Sequence, residues 1–128
     1  QPLNSLNIKY FKDSIDINPL YIMKLSEVLF LRAEGALRGW NMGGTAQSFY
    51  EKGIENAFLD DKFNDSYQKK LTQYMSLAQA KDYTYEDPYN ERYNLPSLTK
   101  IGVAWNNGDN EEVKLEKIIT QKYIAHFP

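Results

Sequence analysis

The residues that could do chemistry are few, and most of the familiar arrangements are missing. His126 is the only histidine and lies close to the end of the chain. Neither a Ser-His-Asp triad nor a metal site of several histidines can be assembled around it. Cysteine is absent, which excludes disulfides, thiol catalysis and cysteine–zinc sites. Gly43-Gly44 precedes a helical pattern but lacks the further glycines and the lysine of a phosphate loop. Asp82, Glu86, Asp87 and Glu91 form an acidic cluster. Paired acids can hydrolyse a glycosidic bond, and clustered oxygens can hold calcium. This spacing matches neither pattern, so solvated acids are the simpler expectation. Catalytic residues, metal ligands and cofactors are all expected to be none.

A second constellation has more content. Tyr83, Tyr85, Tyr89, Tyr93 and Trp105 fall within one long segment, interleaved with Asn, Asp, Glu and Arg. A sugar presents C–H faces that stack on aromatic rings and hydroxyls that bond to polar side chains, so this mixture suits a saccharide. Tyr85, Tyr89, Tyr93 and Trp105 are the candidate contact residues. The competing reading is that the same rings anchor the segment to a helical body.

Those residues need elements to position them. Asn18-Pro19 is a helix start, an N-cap followed by a residue that loses nothing by lacking an N–H there. The spacing predicts a first helix over 19–39, with Lys24, Glu27, Glu34 and Arg38 as its narrow polar stripe and Gly39 as its stop. Gly35, with Ala33 and Ala36, thins this helix for a close neighbour. Thr45 caps a second helix over 45–59, whose Ala46, Phe49, Tyr50, Gly53, Ile54, Ala57 and Phe58 share one face. So short a connection makes the two antiparallel, like one tetratricopeptide-type hairpin. A third helix is predicted over 66–80, with Tyr67, Leu71, Tyr74, Met75 and Ala78 on one face. A fourth is predicted over 111–127, starting at Asn110, with Leu115, Ile118, Ile119 and Tyr123 on its buried face. Between these last two lies a loop, 82–109, in which Ile101, Val103 and Trp105 alternate as a short extended piece would. A connection this long is functional or disordered, and its rings argue against disorder.

At 128 residues the chain is expected to form one unit with a modest core. A net charge of −2 offers no attraction for nucleic acid or an anionic membrane. No apolar run is long enough to span a bilayer. The chain starts at Gln1 without a signal peptide and stops at Pro128 on an apolar helical stretch, so both ends are expected to be cut.

Two stretches then carry a resemblance. Residues 21–58 hold Ser26-Glu27, Arg32-Ala33-Glu34, Gly39-Trp40, Tyr50 and Gly53-Ile54, in that order. Residues 115–128 hold Ile118, Gln121, Lys122 and Ala125. Both resemble the SusD/RagB family, particularly its SusD-like subgroup, and place the chain toward the C-terminal part of such a protein. Residues 59–114 correspond to the region where members vary, and they inherit no functional residues.

The resemblance implies a mostly α fold of tetratricopeptide-like helical pairs with a long aromatic-rich loop. Residues 1–128 would form one helical fragment of a larger SusD-like domain, with the insert at 82–109. It further implies a surface-exposed outer-membrane protein, lipid-anchored through a cysteine that this sequence lacks. Such a protein would bind oligosaccharides or other nutrients and pass them to a SusC-like TonB-dependent transporter, without catalysis. Glu27, Arg32, Gln121 and Lys122 would be scaffold. Two rival functions remain: a tetratricopeptide-like protein–protein scaffold with no sugar site of its own, and a carbohydrate-active enzyme using the acidic cluster.

Overall fold

The computed structural model of the chain describes residues 22–60 and 67–126. Among these residues the chain forms helices α1 (Leu25–Leu37), α2 (Ala46–Asp60) and α3 (Tyr67–Met75). Strand β1 (Thr84–Tyr85), a 3-10 turn (Glu91–Tyr93), strand β2 (Leu95–Pro96) and helix α4 (Glu111–His126) follow. The fold is mostly α, as expected. No helix among the described residues is long and apolar enough to cross a membrane.

The α1–α2 hairpin is organised by its turn. Gly39 adopts φ +81°, which L side chains avoid, and its N–H donates to the Ala36 carbonyl at 3.1 Å. The N–H of Trp40 donates to the Gly35 carbonyl at 2.9 Å, completing a Schellman closure. Thr45 then caps α2, its Oγ1 accepting from the Ser48 N–H at 3.1 Å. The guanidinium of Arg32 lies 4.3 Å from the centroid of the Phe49 ring and also donates to the Met42 carbonyl. Two residues earlier in α1, Phe30 packs on Gly53, four residues later in α2. That reversed order makes the helices antiparallel. A Cβ on Gly53 would lie 2.7 Å from the Phe30 ring, so the glycine sets how closely the helices approach. The close neighbours at Gly35 are Met42 and Trp40 of the turn rather than a second helix.

Leu29, Phe30 and Ala33 of α1, Phe49, Tyr50 and Ile54 of α2, Val103 of the loop and Ile118 of α4 make the buried apolar core. Phe30 meets Tyr50 edge-on, with centroids 6.3 Å apart. Helix α4 lies against α1 and is fastened by polar side chains. Lys117 is buried, and its Nζ donates to Asp109 Oδ2 at 2.5 Å and to the Ala104 carbonyl at 2.8 Å. Gln121, also buried, accepts from the Tyr74 hydroxyl at 2.9 Å and so ties α4 to α3. His126 Nε2 lies 3.0 Å from Glu27 Oε2, joining α4 to the start of α1. The family-motif residues Glu27, Arg32 and Gln121 are therefore all engaged in holding helices together.

Several expectations need correction. The first helix begins at Leu25, because Ile22 and Met23 bend and Lys24 is extended (φ −88°, ψ 150°). The Asn18-Pro19 start and Ser66 lie outside the described residues. The third helix stops at Met75 rather than running to residue 80, because the backbone beyond it has other partners. The Leu77 carbonyl accepts from the N–H groups of Val103 and Ala104 at 2.7 and 2.8 Å, and Gln79 forms an antiparallel bridge with Ile101. Ala78 is thus exposed and off the helical face. Of the Ile101–Val103–Trp105 alternation only Ile101 is paired as in a strand. On α4, Ile118 lies inside as its spacing predicts and Leu115 is half-buried, but Ile119 and Tyr123 are exposed, and Lys117 and Gln121 take the interior in their place. A buried lysine is affordable there only because an acid and a carbonyl both receive its protons.

Candidate functional site

The segment between α3 and α4 divides into two parts that treat their rings differently. The outer part is a small antiparallel hairpin in which Thr84 pairs with Pro96 and Tyr85 with Leu95. The Ser97 N–H donates to the Tyr83 carbonyl at 2.7 Å, extending the pairing. Two strand residues on each side are too few to stand alone, so the tip carries its own bracing. Asp87 Oδ1 accepts from the N–H groups of Tyr89 and Asn90 at 2.9 and 2.8 Å. Its own N–H donates to Asn94 Oδ1 at 2.7 Å. Asn90 Oδ1 accepts from the Arg92 N–H at 3.0 Å and caps the 3-10 turn.

That bracing holds three rings out in solvent. Tyr85 is 48% exposed, Tyr93 63% and Tyr89 96%. Among the described ring contacts none joins these three to each other or to the core. The Tyr85 hydroxyl leans on Asp87 Oδ2 at 3.4 Å, which leaves its ring face open. Rings that merely anchored the segment would be covered, and these are not.

Trp105 behaves in the opposite way. It is half-buried, its ring packs on Tyr50 with centroids 5.1 Å apart, and its Nε1 donates to Asn107 Oδ1 at 3.0 Å. The stretch beneath it is seated by Gly102, where a Cβ would lie 2.2 Å from the Ala78 carbonyl oxygen, a distance only glycine permits. The fourth candidate is therefore part of the helical body, apart from the other three. Its neighbours Gln47, Asn107 and Lys114 did not stand out in the sequence. Asn107 sits two positions from Trp105, but nothing in the linear order links either residue to Gln47.

The acidic cluster does not converge. Asp82 pairs with Lys100 across the base of the hairpin at 2.5 Å, and Asp87 is taken up by the turn. Glu86 and Glu91 are exposed. No group of three or more acids or histidines among the described residues is placed to hold a metal ion. The groups held away from ordinary titration are tyrosines of the core. Burial pushes the Tyr50 phenol well above the usual tyrosine range, helped by the nearby Tyr74 and Glu51 charges. Burial also raises Tyr74, partly offset by its bond to Gln121. Tyr50 bonds to the Val103 carbonyl and Tyr74 to Gln121, so both belong to the helical body rather than to the hairpin.

Similarity to known proteins now bears on this geometry. A family model described as Susd and RagB outer membrane lipoprotein, SusD-like, matches residues 6–128. A chitin-binding SusD homolog from Flavobacterium johnsoniae superposes with a TM-score of 0.76 at 44% identity, over 85% of this chain and 22% of its own. A SusD-like protein from Bacteroides thetaiotaomicron gives 0.75 at 36% identity, over 87% of this chain and 22% of its own. A SusD homolog from the same species gives 0.73 at 42%, with the same coverage of both chains. The chain thus spans 22% of the length of these solved relatives. No curated protein matches it significantly. The helical hairpin, the α4 clasp built on Glu27 and Gln121, and a match over nearly the whole sequence agree: this chain belongs to the SusD-like family of outer membrane lipoproteins.

Proposed function

We propose that this chain is one helical unit of a larger SusD-like glycan-binding protein, and that its hairpin presents Tyr85, Tyr89 and Tyr93 to the glycan. In this reading the protein is lipid-anchored at the outer surface. It captures oligosaccharide without cleaving it and passes it to a SusC-like TonB-dependent transporter. The observation that carries the reading is the set of three exposed rings on a tip whose backbone is fixed by Asp87 and Asn90. Fixed rings stack on a sugar at low entropic cost, and Asn, Asp, Glu and Arg side chains beside them supply partners for hydroxyls. The chitin-binding relative supports a saccharide as the ligand class. Asp82 and Asp87 are engaged by Lys100 and by the turn rather than aimed at a common point, which suits binding better than hydrolysis.

The test uses the full-length protein, with Tyr85, Tyr89 and Tyr93 changed singly to alanine. Affinity for chitin oligosaccharides and other oligosaccharides is read by calorimetry alongside melting. Losing one stacking ring is expected to weaken binding by about tenfold with the fold intact. Unchanged affinity in all three variants would place the glycan elsewhere. The scaffold reading draws on the exposed Ile119 and Tyr123, beside the half-buried Leu115, on one side of α4, which suits a protein surface better than a sugar. It predicts that Ile119→Asp abolishes a protein contact and leaves glycan affinity untouched.

A further inference from the structure

A cleft of about 330 Å³ opens where the end of α1, the start of α2 and the loop before α4 meet. Leu37, Thr45, Gln47, Trp105, Asn107 and Lys114 line it, and it shares no residue with the tyrosine hairpin. Small-ligand sites begin at roughly 300 Å³, so this one has room for a single ring with its substituents.

The polar groups of the cleft are held in a connected chain. Trp105 Nε1 donates to Asn107 Oδ1 at 3.0 Å, and Asn107 Nδ2 donates to Gln47 Oε1 at 3.4 Å. Gln47 Nε2 in turn donates to Glu51 Oε1 at 2.9 Å. Lys114 Nζ donates to the Asn107 carbonyl at 2.9 Å, which fixes the ammonium at the cleft and leaves it two further protons to donate. Among the described residues lining the cleft none is acidic, so Lys114 supplies its only formal charge. The loop is already held from within by Lys117 and by the Tyr50 hydroxyl, independently of this outer network.

We infer that this cleft is a second saccharide site and that it takes a carboxylate-bearing ring, such as a uronic-acid residue of a longer glycan. The choice of a saccharide rests on the glycan-binding reading above, whereas the charge selectivity rests on the cleft alone. Trp105 gives an apolar surface for the C–H face of the ring. Thr45, Gln47 and Asn107 offer hydroxyl partners, and the spare protons of Lys114 meet the carboxylate in a charge-assisted bond. A neutral ring would strip water from the ammonium and give it no anion in return.

The experiment compares an α-1,4-linked trigalacturonate with the neutral galactose trisaccharide of the same linkage. Binding to the full-length protein is measured by calorimetry. The acidic probe is expected to bind about tenfold tighter or more, by a margin that shrinks as salt is added. Lys114→Met should remove that margin by weakening the acidic probe, and Lys114→Arg should keep most of it. Equal affinity for the two probes overturns the cleft site, and so does a Lys114→Met protein that retains the full margin. The hairpin is read separately in the same series: Tyr89→Ala should weaken both probes alike. If Tyr89→Ala changes neither, the hairpin reading fails while the cleft stands.

Discussion

The hydroxyl of Tyr50, in the middle of α2, donates to the backbone carbonyl of Val103 at 2.7 Å, across a separation of 53 residues. It is the buried link between the helical hairpin and the loop that seats Trp105. Tyr50→Phe keeps the ring and loses the bond, leaving the Val103 carbonyl buried without its partner. Stability should fall by about 1 kcal/mol, as read by denaturant unfolding at neutral pH. The same substitution should change the alkaline behaviour. A phenol raised by burial contributes its full stability below the unfolded tyrosine value of about pH 10, and the contribution is lost as pH rises toward the folded value. The wild-type chain should therefore weaken steadily above about pH 10, and the Phe variant should weaken less steeply.

Gly102 lies against backbone rather than side chain, with the Ala78 carbonyl oxygen 2.2 Å from where a Cβ would sit. Because backbone cannot rotate away, Gly102→Ala should cost about 3 kcal/mol or more. The partner change Gly108→Ala meets only the side chain of Asn106, at 3.2 Å, and should cost much less. Thermal melts of the two variants side by side check the difference. A Gly102→Ala protein as stable as wild type would mean that the α3–loop crossing is wrong.

Lys117 is 5% exposed and joins α4 to both Asp109 and the Ala104 carbonyl. Lys117→Met fills the space but abandons a partly buried acid, so it should destabilise by about 3 kcal/mol. The double variant Lys117→Met/Asp109→Asn removes the orphaned charge and should recover part of that loss. Unfolding curves of the two single variants and the double form a cycle that measures the coupling.

Tyr89 and Trp105 should separate cleanly. Tyr89→Ala alters an exposed ring and should leave the melting curve in place. Trp105→Ala removes a ring packed on Tyr50 and should cost about 3 kcal/mol. Calorimetric glycan affinity should respond to Tyr89→Ala in the folded full-length protein.

Asp87 organises the tip through two backbone N–H groups. Asp87→Ala should loosen the turn by about 1 kcal/mol, as the loss of a capping side chain does. Glycan affinity should drop with it, while amide-exchange protection in α1 and α2 stays unchanged. Retained affinity would show that the rings need no fixed tip.

The helical hairpin was legible in the sequence because its determinants are local. Gly39 had to close α1, Thr45 had to cap α2, and the face from Ala46 to Phe58 repeats at helical spacing, so each could be read within a few residues. The family, too, was legible, since Ser26-Glu27, Gly39-Trp40 and Gln121 stand in fixed order. What tertiary structure decided is everything that depends on pairs far apart in the chain. The face of α4 is one case. Leu115, Ile119 and Tyr123 have the better apolar pattern, but Lys117 and Gln121 find Asp109, Ala104 and Tyr74 as partners and so occupy the interior. The third helix is another: its pattern reaches Ala78, but the Leu77 carbonyl accepts from Val103 and Ala104 and ends it early. The fate of each aromatic in the loop follows the same rule. Tyr85, Tyr89, Tyr93 and Trp105 look alike in the sequence. Only Trp105 lies just beyond the Gly102 crossing that brings the chain onto Tyr50, so one ring joins the body and three stay in solvent. Residue type determined that these rings could bind or pack, and a backbone contact 24 residues away, Gly102 on Ala78, decided which.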